Sequence, residues 1–157
     1  MSLRIFALTL TFCLAACATS QSTSTDSGNG LVELRSAHSV ERTTARLQAA
    51  LDKAGMKQFA TIDHAAGAKA AGLSLRPTRV VIFGNPKAGT PLMRCAQTVG
   101  IDLPMKALIY TDADGQVWYA YNDPAYLASR HAIEGCDAVI SRISGALAKF
   151  ASAATGG

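Results

Sequence analysis

Chemistry in this sequence would sit first at Gly84-Asn-Pro-Lys-Ala-Gly89, a punctuated loop between an apolar run and a helix start. Amides at a helix N-terminus, with Asn85 and the ammonium of Lys87 beside them, favour an anion such as a carboxylate or a phosphate. The same residues equally describe a tight strand-to-helix connection shaped by Asn85-Pro86 and Gly89. A P-loop is excluded, because it needs a longer glycine-bounded loop closed by Lys-Ser/Thr. Cys95 and Cys136 supply two thiols without the C-x-x-C spacing that places both sulfurs on one helical turn and tunes a thiolate, so a redox pair is not expected. Metal ligation has scattered candidates in His38, His64, His131, Met93 and Met105, none paired at i, i+3 or i+4 with another strong ligand. Neither H-E-x-x-H, paired C-x-x-C, C-x-x-C-H nor the G-x-S-x-G elbow occurs. The reading is no metal, no cofactor and no familiar enzyme signature.

The compartment decides what the cysteines do. Arg4 followed by the apolar run Ile5 to Ala16, ending in small residues, reads as an export signal. At about twelve residues the run is too short for a transmembrane helix, which needs about 20. Leu14-Ala-Ala-Cys17 resembles the bacterial lipobox, in which the cysteine sulfur receives a diacylglyceryl group; two or more acyl chains hold a protein on a bilayer. Residues 1–16 are thus expected as a lipoprotein signal peptide and Cys17 as the lipidation site. Ala18 after the cysteine resembles lipoproteins sorted to the outer membrane, facing the periplasm. Residues 17–30 carry no large apolar side chain beyond the anchor and read as a flexible tether. Cys13 leaves with the signal, so Cys95 and Cys136 remain in an oxidising space, where a disulfide closing a loop of about 42 residues would stabilise by roughly 3 to 4 kcal/mol. Two separate buried thiols are the competing reading.

Residues 31–152 must then be the folded unit, with 153–157 as a tail. The full chain has 157 residues, 49% of them apolar, enough for one core rather than two. Its net charge is +4, with basic residues spread from Arg35 to Lys149 and not gathered in an aromatic-laced stripe, so nucleic acid is not an expected partner. Leu31 to Arg35 reads as a strand, and Val40, Thr44, Leu47 and Leu51 as one face of a helix stopped by Gly55. Met56 to Ile62 reads as a second strand, followed by a short, closely packed helix capped by Asp63 and running through Ala71. Arg79 to Phe83 is the clearest buried strand. Thr90-Pro91 opens a helix ending near Gly100. Lys106 to Tyr110 and Gln116 to Tyr121 form a hairpin around Asp112-Ala-Asp-Gly115. Asp123-Pro124 opens another helix, and the last runs from Asp137 to about Ala151. The fold class is α+β: two layers, a mainly antiparallel sheet of about five strands with helices packed on it.

Ile62-Asp-His-Ala-Ala-Gly67, Phe83-Gly-Asn-Pro-Lys-Ala-Gly-Thr-Pro-Leu-Met93, Asp102-Leu-Pro-Met-Lys106 and Tyr121-Asn-Asp-Pro-Ala-Tyr-Leu-Ala-Ser-Arg-His131 together resemble the domain of unknown function 302 family, over about Leu31 to Ile133. The resemblance implies a small α+β domain, in some members dimeric, and no reaction. Cys95 and Cys136 depart from the pattern, where small or apolar residues are expected, so their role is particular to this chain. The motif residues His64, Lys106, Tyr121, Asn122, Asp123 and His131 join Asn85 and Lys87 as ligand-binding candidates. If the domain is an enzyme of hydrolytic or isomerising type, His64 at a helix start is the neutral base and Lys106 the electrostatic partner. Against that, Asp63 and Asp123 are explained as N-caps, Tyr121 and Trp118 as sheet packing, and His131 as a complement to a helix C-terminus. The leading expectation is a non-catalytic envelope lipoprotein that binds a small, anionic ligand or an envelope protein, as a homodimer. A purely structural envelope protein, with no pocket, is the third possibility.

Overall fold

The computed structural model describes Thr25–Asp26 and residues 28–156; the signal segment and Cys17 lie outside these residues. The strands are β1 (Thr25–Asp26), β2 (Leu31–Arg35), β3 (Lys57–Asp63), β4 (Thr78–Gly84), β5 (Met105–Thr111) and β6 (Val117–Asn122). The helices are α1 (Val40–Lys53), α2 (His64–Ala70), α3 (Pro86–Cys95), α4 (Pro124–Arg130) and α5 (Asp137–Thr155), with a 3-10 helix at Gln97–Ile101. One antiparallel sheet has the order β1-β2-β6-β5-β4-β3. The expected α+β sheet of five strands is present, and β1 adds a two-residue edge to it.

Antiparallel register puts residues 81, 107 and 121 on one face and residues 80, 108 and 120 on the other. The first face meets α1 and α5. Val81, Phe83, Ala107, Ile109, Tyr119, Leu47, Leu51, Leu147 and Ala151 form the core there, each almost wholly buried. On the opposite face Ile62, Val80, Leu108 and Ala120 align across four strands, and Ile62 is 43% exposed. β4, read from the sequence as the clearest buried strand, is buried on one side. Val81 and Phe83 are buried while Val80 and Ile82 are only partly so, because the helices cover one face.

Local signals placed most elements. Ser39 caps α1 by accepting from the Arg42 amide, and Val40, Thr44, Leu47 and Leu51 are buried as their spacing requires. Asp112 shapes the β5–β6 turn by accepting from the amides of Asp114 and Gln116, with Gly115 in the left-handed region at φ 82°. Asp63 caps α2 through the Ala66 amide, but α2 buries no residue, so the expected close packing of its alanines does not occur.

Three boundaries differ from the sequence reading. The helix expected at Thr90-Pro91 starts five residues earlier, at Asn85-Pro86, which carries the same cap-then-proline signature, and Pro91 lies inside it. That helix stops at Cys95, and the 3-10 helix fills the stretch toward Gly100. α5 runs on to Thr155, and Ala154 and Thr155 are buried, so 153–155 belong to the packed unit and not to a tail. The end is clamped: Ala37 N–H donates to Thr155 O, while Arg46 donates to the carbonyls of Ala153, Ala154 and Gly156. The close of the expected tether is also engaged. β1 pairs with β2, Gly30 O accepts from the Asp123 amide, and a side chain at Gly30 would run into the Tyr126 ring.

Candidate functional site

A concavity lies where the ends of β4 and β5 meet α3 and α5. It has a volume of about 450 Å3 and is lined chiefly by apolar atoms. Phe83, Met105, Leu147 and Phe150 come from the core side, Met93 from α3, and Leu103 and Pro104 from the turn entering β5. Phe83 and Phe150 meet edge to face with centroids 5.9 Å apart, a favoured aromatic arrangement that fixes one wall. Gly84 keeps the strand end slim, since a Cβ there would stand 3.3 Å from the Pro104 Cβ. Polar atoms are few: Asn85 and Thr90 at the start of α3, and Arg142 on α5. Such a site, mostly apolar with a small number of polar groups, is the usual form of a small-molecule pocket.

Two walls of this cavity are tied together. Cys95, the last residue of α3, and Cys136, just before α5, are disulfide-linked, with Cα atoms 6.5 Å apart. Around them Leu92 and Val99 form a small second core, with Ile143 packed against both cores.

The anion-binding loop takes a different form from its sequence reading. Asn85 Oδ1 accepts from the Lys87 amide, and Asn85 O accepts from the amides of Ala88 and Gly89. The first amides of α3 are thus already used, and Lys87 does not line the cavity. The cation that does is Arg142, which the sequence reading passed over. Its signal was present: Arg142 stands one, four, five and eight positions before Ile143, Ala146, Leu147 and Phe150, a charge at the rim of an apolar helix face.

The remaining candidates separate into three groups. Lys106 and His131 converge on Asp102. Lys106 Nζ donates to the carbonyls of Asp102 and Pro104, while His131 Nε2 lies 2.6 Å from Asp102 Oδ2 and its Nδ1 3.1 Å from Thr98 Oγ1. Both imidazole nitrogens are occupied and the side chain is only 7% exposed, so His131 fastens the end of α4 to the 3-10 helix and the Pro104 turn. Tyr121, Asn122 and Asp123 close β6: Tyr121 is core, Asn122 pairs with Leu31, and Asp123 caps α4 through the Ala125 amide. His64 stands apart at the opposite end of β4. Its neighbour Asp63 pairs with Arg79 and Lys106 pairs with Ile82, which puts the Cα atoms of Asp63 and Lys106 about 14 Å apart by strand spacing, with His64 one residue beyond Asp63. Asp63 itself is held below the usual carboxylate range by the Ala66 amide and the Arg79 guanidinium. Among the described residues no group of three or more His, Cys, Asp or Glu side chains could hold a metal, and no helix is long and apolar enough to cross a membrane.

Fold and site together define a two-layer α+β domain with a single-walled sheet and an apolar cavity at one end of it. The chain belongs to the family described as domain of unknown function DUF302, whose match spans residues 32–150. A crystal structure of an uncharacterized conserved protein DUF302 from Bacillus stearothermophilus superposes with a TM-score of 0.72 at 17% identity, covering 80% of this chain and 98% of that one, and so shares the fold. Fluoride-specific ion channel FluC 1 of Brucella suis is 50% identical over 105 residues, 67% of this chain and 41% of that protein. FluC 1 of Brucella abortus and FluC 2 of Brucella melitensis match equally, over 39% of their lengths. The chain spans about two fifths of these relatives.

Proposed function

We propose that this chain is a non-catalytic envelope module that binds a small ligand in the cavity between α3, α5 and the Leu103-Pro104 turn. It works as a homodimer, held at the outer membrane and facing the periplasm through lipid on Cys17. The observation that carries the binding reading is the cavity itself, about 450 Å3 of mostly apolar lining with three polar residues at its edge. An enzyme using His64 and Lys106 is disfavoured by their separation, and a purely structural protein by the presence of a pocket. Homodimerisation is supported by the partly exposed apolar row Ile62, Val80 and Leu108 on the sheet face opposite α1 and α5. A membrane setting is supported by Leu14-Ala-Ala-Cys17 and by the relatives: a stretch like this one makes up two fifths of proteins named as fluoride-specific ion channels. The matched part, and not the channel activity, is what we carry over.

The test is native mass spectrometry, without reductant, of the polypeptide from Ala18 onward, exported to a periplasm and purified without detergent; β1 to α5 all lie within it. The expected species is a dimer carrying a small molecule. A bare monomer would overturn both the dimer and the resident ligand.

A further inference from the structure

Arg142 is the one fully charged residue lining the cavity, it is exposed, and its guanidinium has no hydrogen bond or ion pair with any described residue. The other cations nearby are engaged or outside the lining: Lys106 is bound to the Asp102 and Pro104 carbonyls, Arg130 lies 3.6 Å from the Asp102 carboxylate, Lys57 sits over the Phe59 ring 4.9 Å from its centroid, and Lys87 is not a lining residue. No Asp or Glu lines the cavity. An apolar interior whose polar lining side chains are one unpaired guanidinium, the Thr90 hydroxyl and the Asn85 amide has the polarity of a container for an amphiphile. Its interior is also adaptable. Met56, Met93 and Met105 all reach it, and thioether side chains accommodate flexible apolar chains better than stiff branched ones do.

Resting on the binding reading above, we infer that the ligand is a single-chain monocarboxylate of fatty-acid type, its hydrocarbon inside against Phe83, Met105 and Phe150 and its carboxylate on Arg142. A planar guanidinium meets a carboxylate with two parallel N–H donors, and one such group balances one negative charge. A phosphate head, with its larger charge, would leave excess negative charge beside Arg142, since no second cation lines the site.

The experiment is displacement of the neutral fluorophore N-phenyl-1-naphthylamine from the polypeptide beginning at Ala18. Dodecanoate, dodecanol, dodecyl phosphate and dodecyltrimethylammonium are the competitors, below their micellar concentrations, with wild type and Arg142→Gln. Because Arg142 is exposed and unpaired, the substitution leaves the fold intact, which circular dichroism checks. Dodecanoate should compete about tenfold more strongly than dodecanol and dodecyl phosphate, with the cation weakest, and R142Q should remove the preference while leaving dodecanol unchanged. Equal competition by dodecanoate and dodecanol, a stronger dodecyl phosphate, or a preference that survives R142Q would overturn the carboxylate assignment alone. Failure of the fluorophore and of every competitor to bind would overturn the binding reading with it.

Discussion

Tyr119 shows how much a single atom can ask of this fold. Its ring is wholly buried against Tyr121, with centroids 6.1 Å apart, yet its hydroxyl has no hydrogen-bond partner among the described residues. Burial pushes its pKa up, with the Tyr121 hydroxyl adding to the effect. An unsatisfied buried hydroxyl costs about 1–3 kcal/mol. Tyr119→Phe should therefore leave stability unchanged or raise it by up to about 2 kcal/mol, measured by urea unfolding. A loss greater than about 1 kcal/mol would show that the hydroxyl is satisfied. Tyr110 is the opposite case, a tyrosine with a partner. Burial first, and then the hydrogen bond to Glu33 Oε1 at 2.8 Å, push its pKa up to about 12. A pKa raised on folding means that this contribution is complete below about 10, the value of the free side chain, and is lost as pH rises through about 12. Ultraviolet titration of phenolate should show a transition near 12 that moves down only part of the way in Glu33→Gln, because burial, the larger cause, remains. A transition unaffected by E33Q would remove Glu33 from the account.

At the scale of elements, α3 and α5 matter most, since they form two walls of the cavity and the Cys95–Cys136 link joins the end of one to the start of the other. Intact mass should fall two hydrogens short of the reduced chain. Removing the link as Cys95→Ala with Cys136→Ala should lower stability by roughly 3 kcal/mol, in keeping with the loop it closes. An unchanged urea midpoint would mean that the packing of Leu92, Val99 and Ile143 alone fixes the two helices. These elements also mark the limit of what the sequence discloses. Helix starts were legible where one polar cap stood without a competitor, as at Ser39, Asp63 and Asp123, because capping is local chemistry. The start of α3 was misplaced because two cap-proline pairs compete, Asn85-Pro86 and Thr90-Pro91, and only packing against the Pro104 turn and α5 selects between them. The end of α5 was cut short for a similar reason: its last turn is held by Ala37 and Arg46, more than a hundred residues away in sequence.

For the whole molecule the same division holds. The layer architecture follows from alternating strand and helix periodicities, so it was readable in advance. The cavity was not, because its lining comes from four separate stretches, 56–59, 83–93, 100–105 and 142–150, that only the tertiary fold assembles. Candidate residues chosen by type, such as His64 and Lys87, are not among its lining residues. Met93 and Met105 had been weighed as metal ligands, Asn85 as an anion contact or a turn residue and Phe83 as the end of a buried strand, while Arg142 and Phe150 had drawn no notice. Function in this reading therefore rests on shape and polarity more than on reactive side chains.

The most direct test fills the cavity and asks whether binding disappears. Gly89 lies within α3 on the lining, and a Cβ there would meet Leu103 Cδ1 at an ordinary 3.5 Å, so Gly89→Leu can extend into the space while gaining helix propensity. Titrated with N-phenyl-1-naphthylamine, the wild type should show saturable fluorescence enhancement at one site per chain, and G89L, folded by circular dichroism, should lose at least tenfold in affinity. Equal binding by the two proteins would contradict the account, because the ligand site would then lie somewhere other than this cavity.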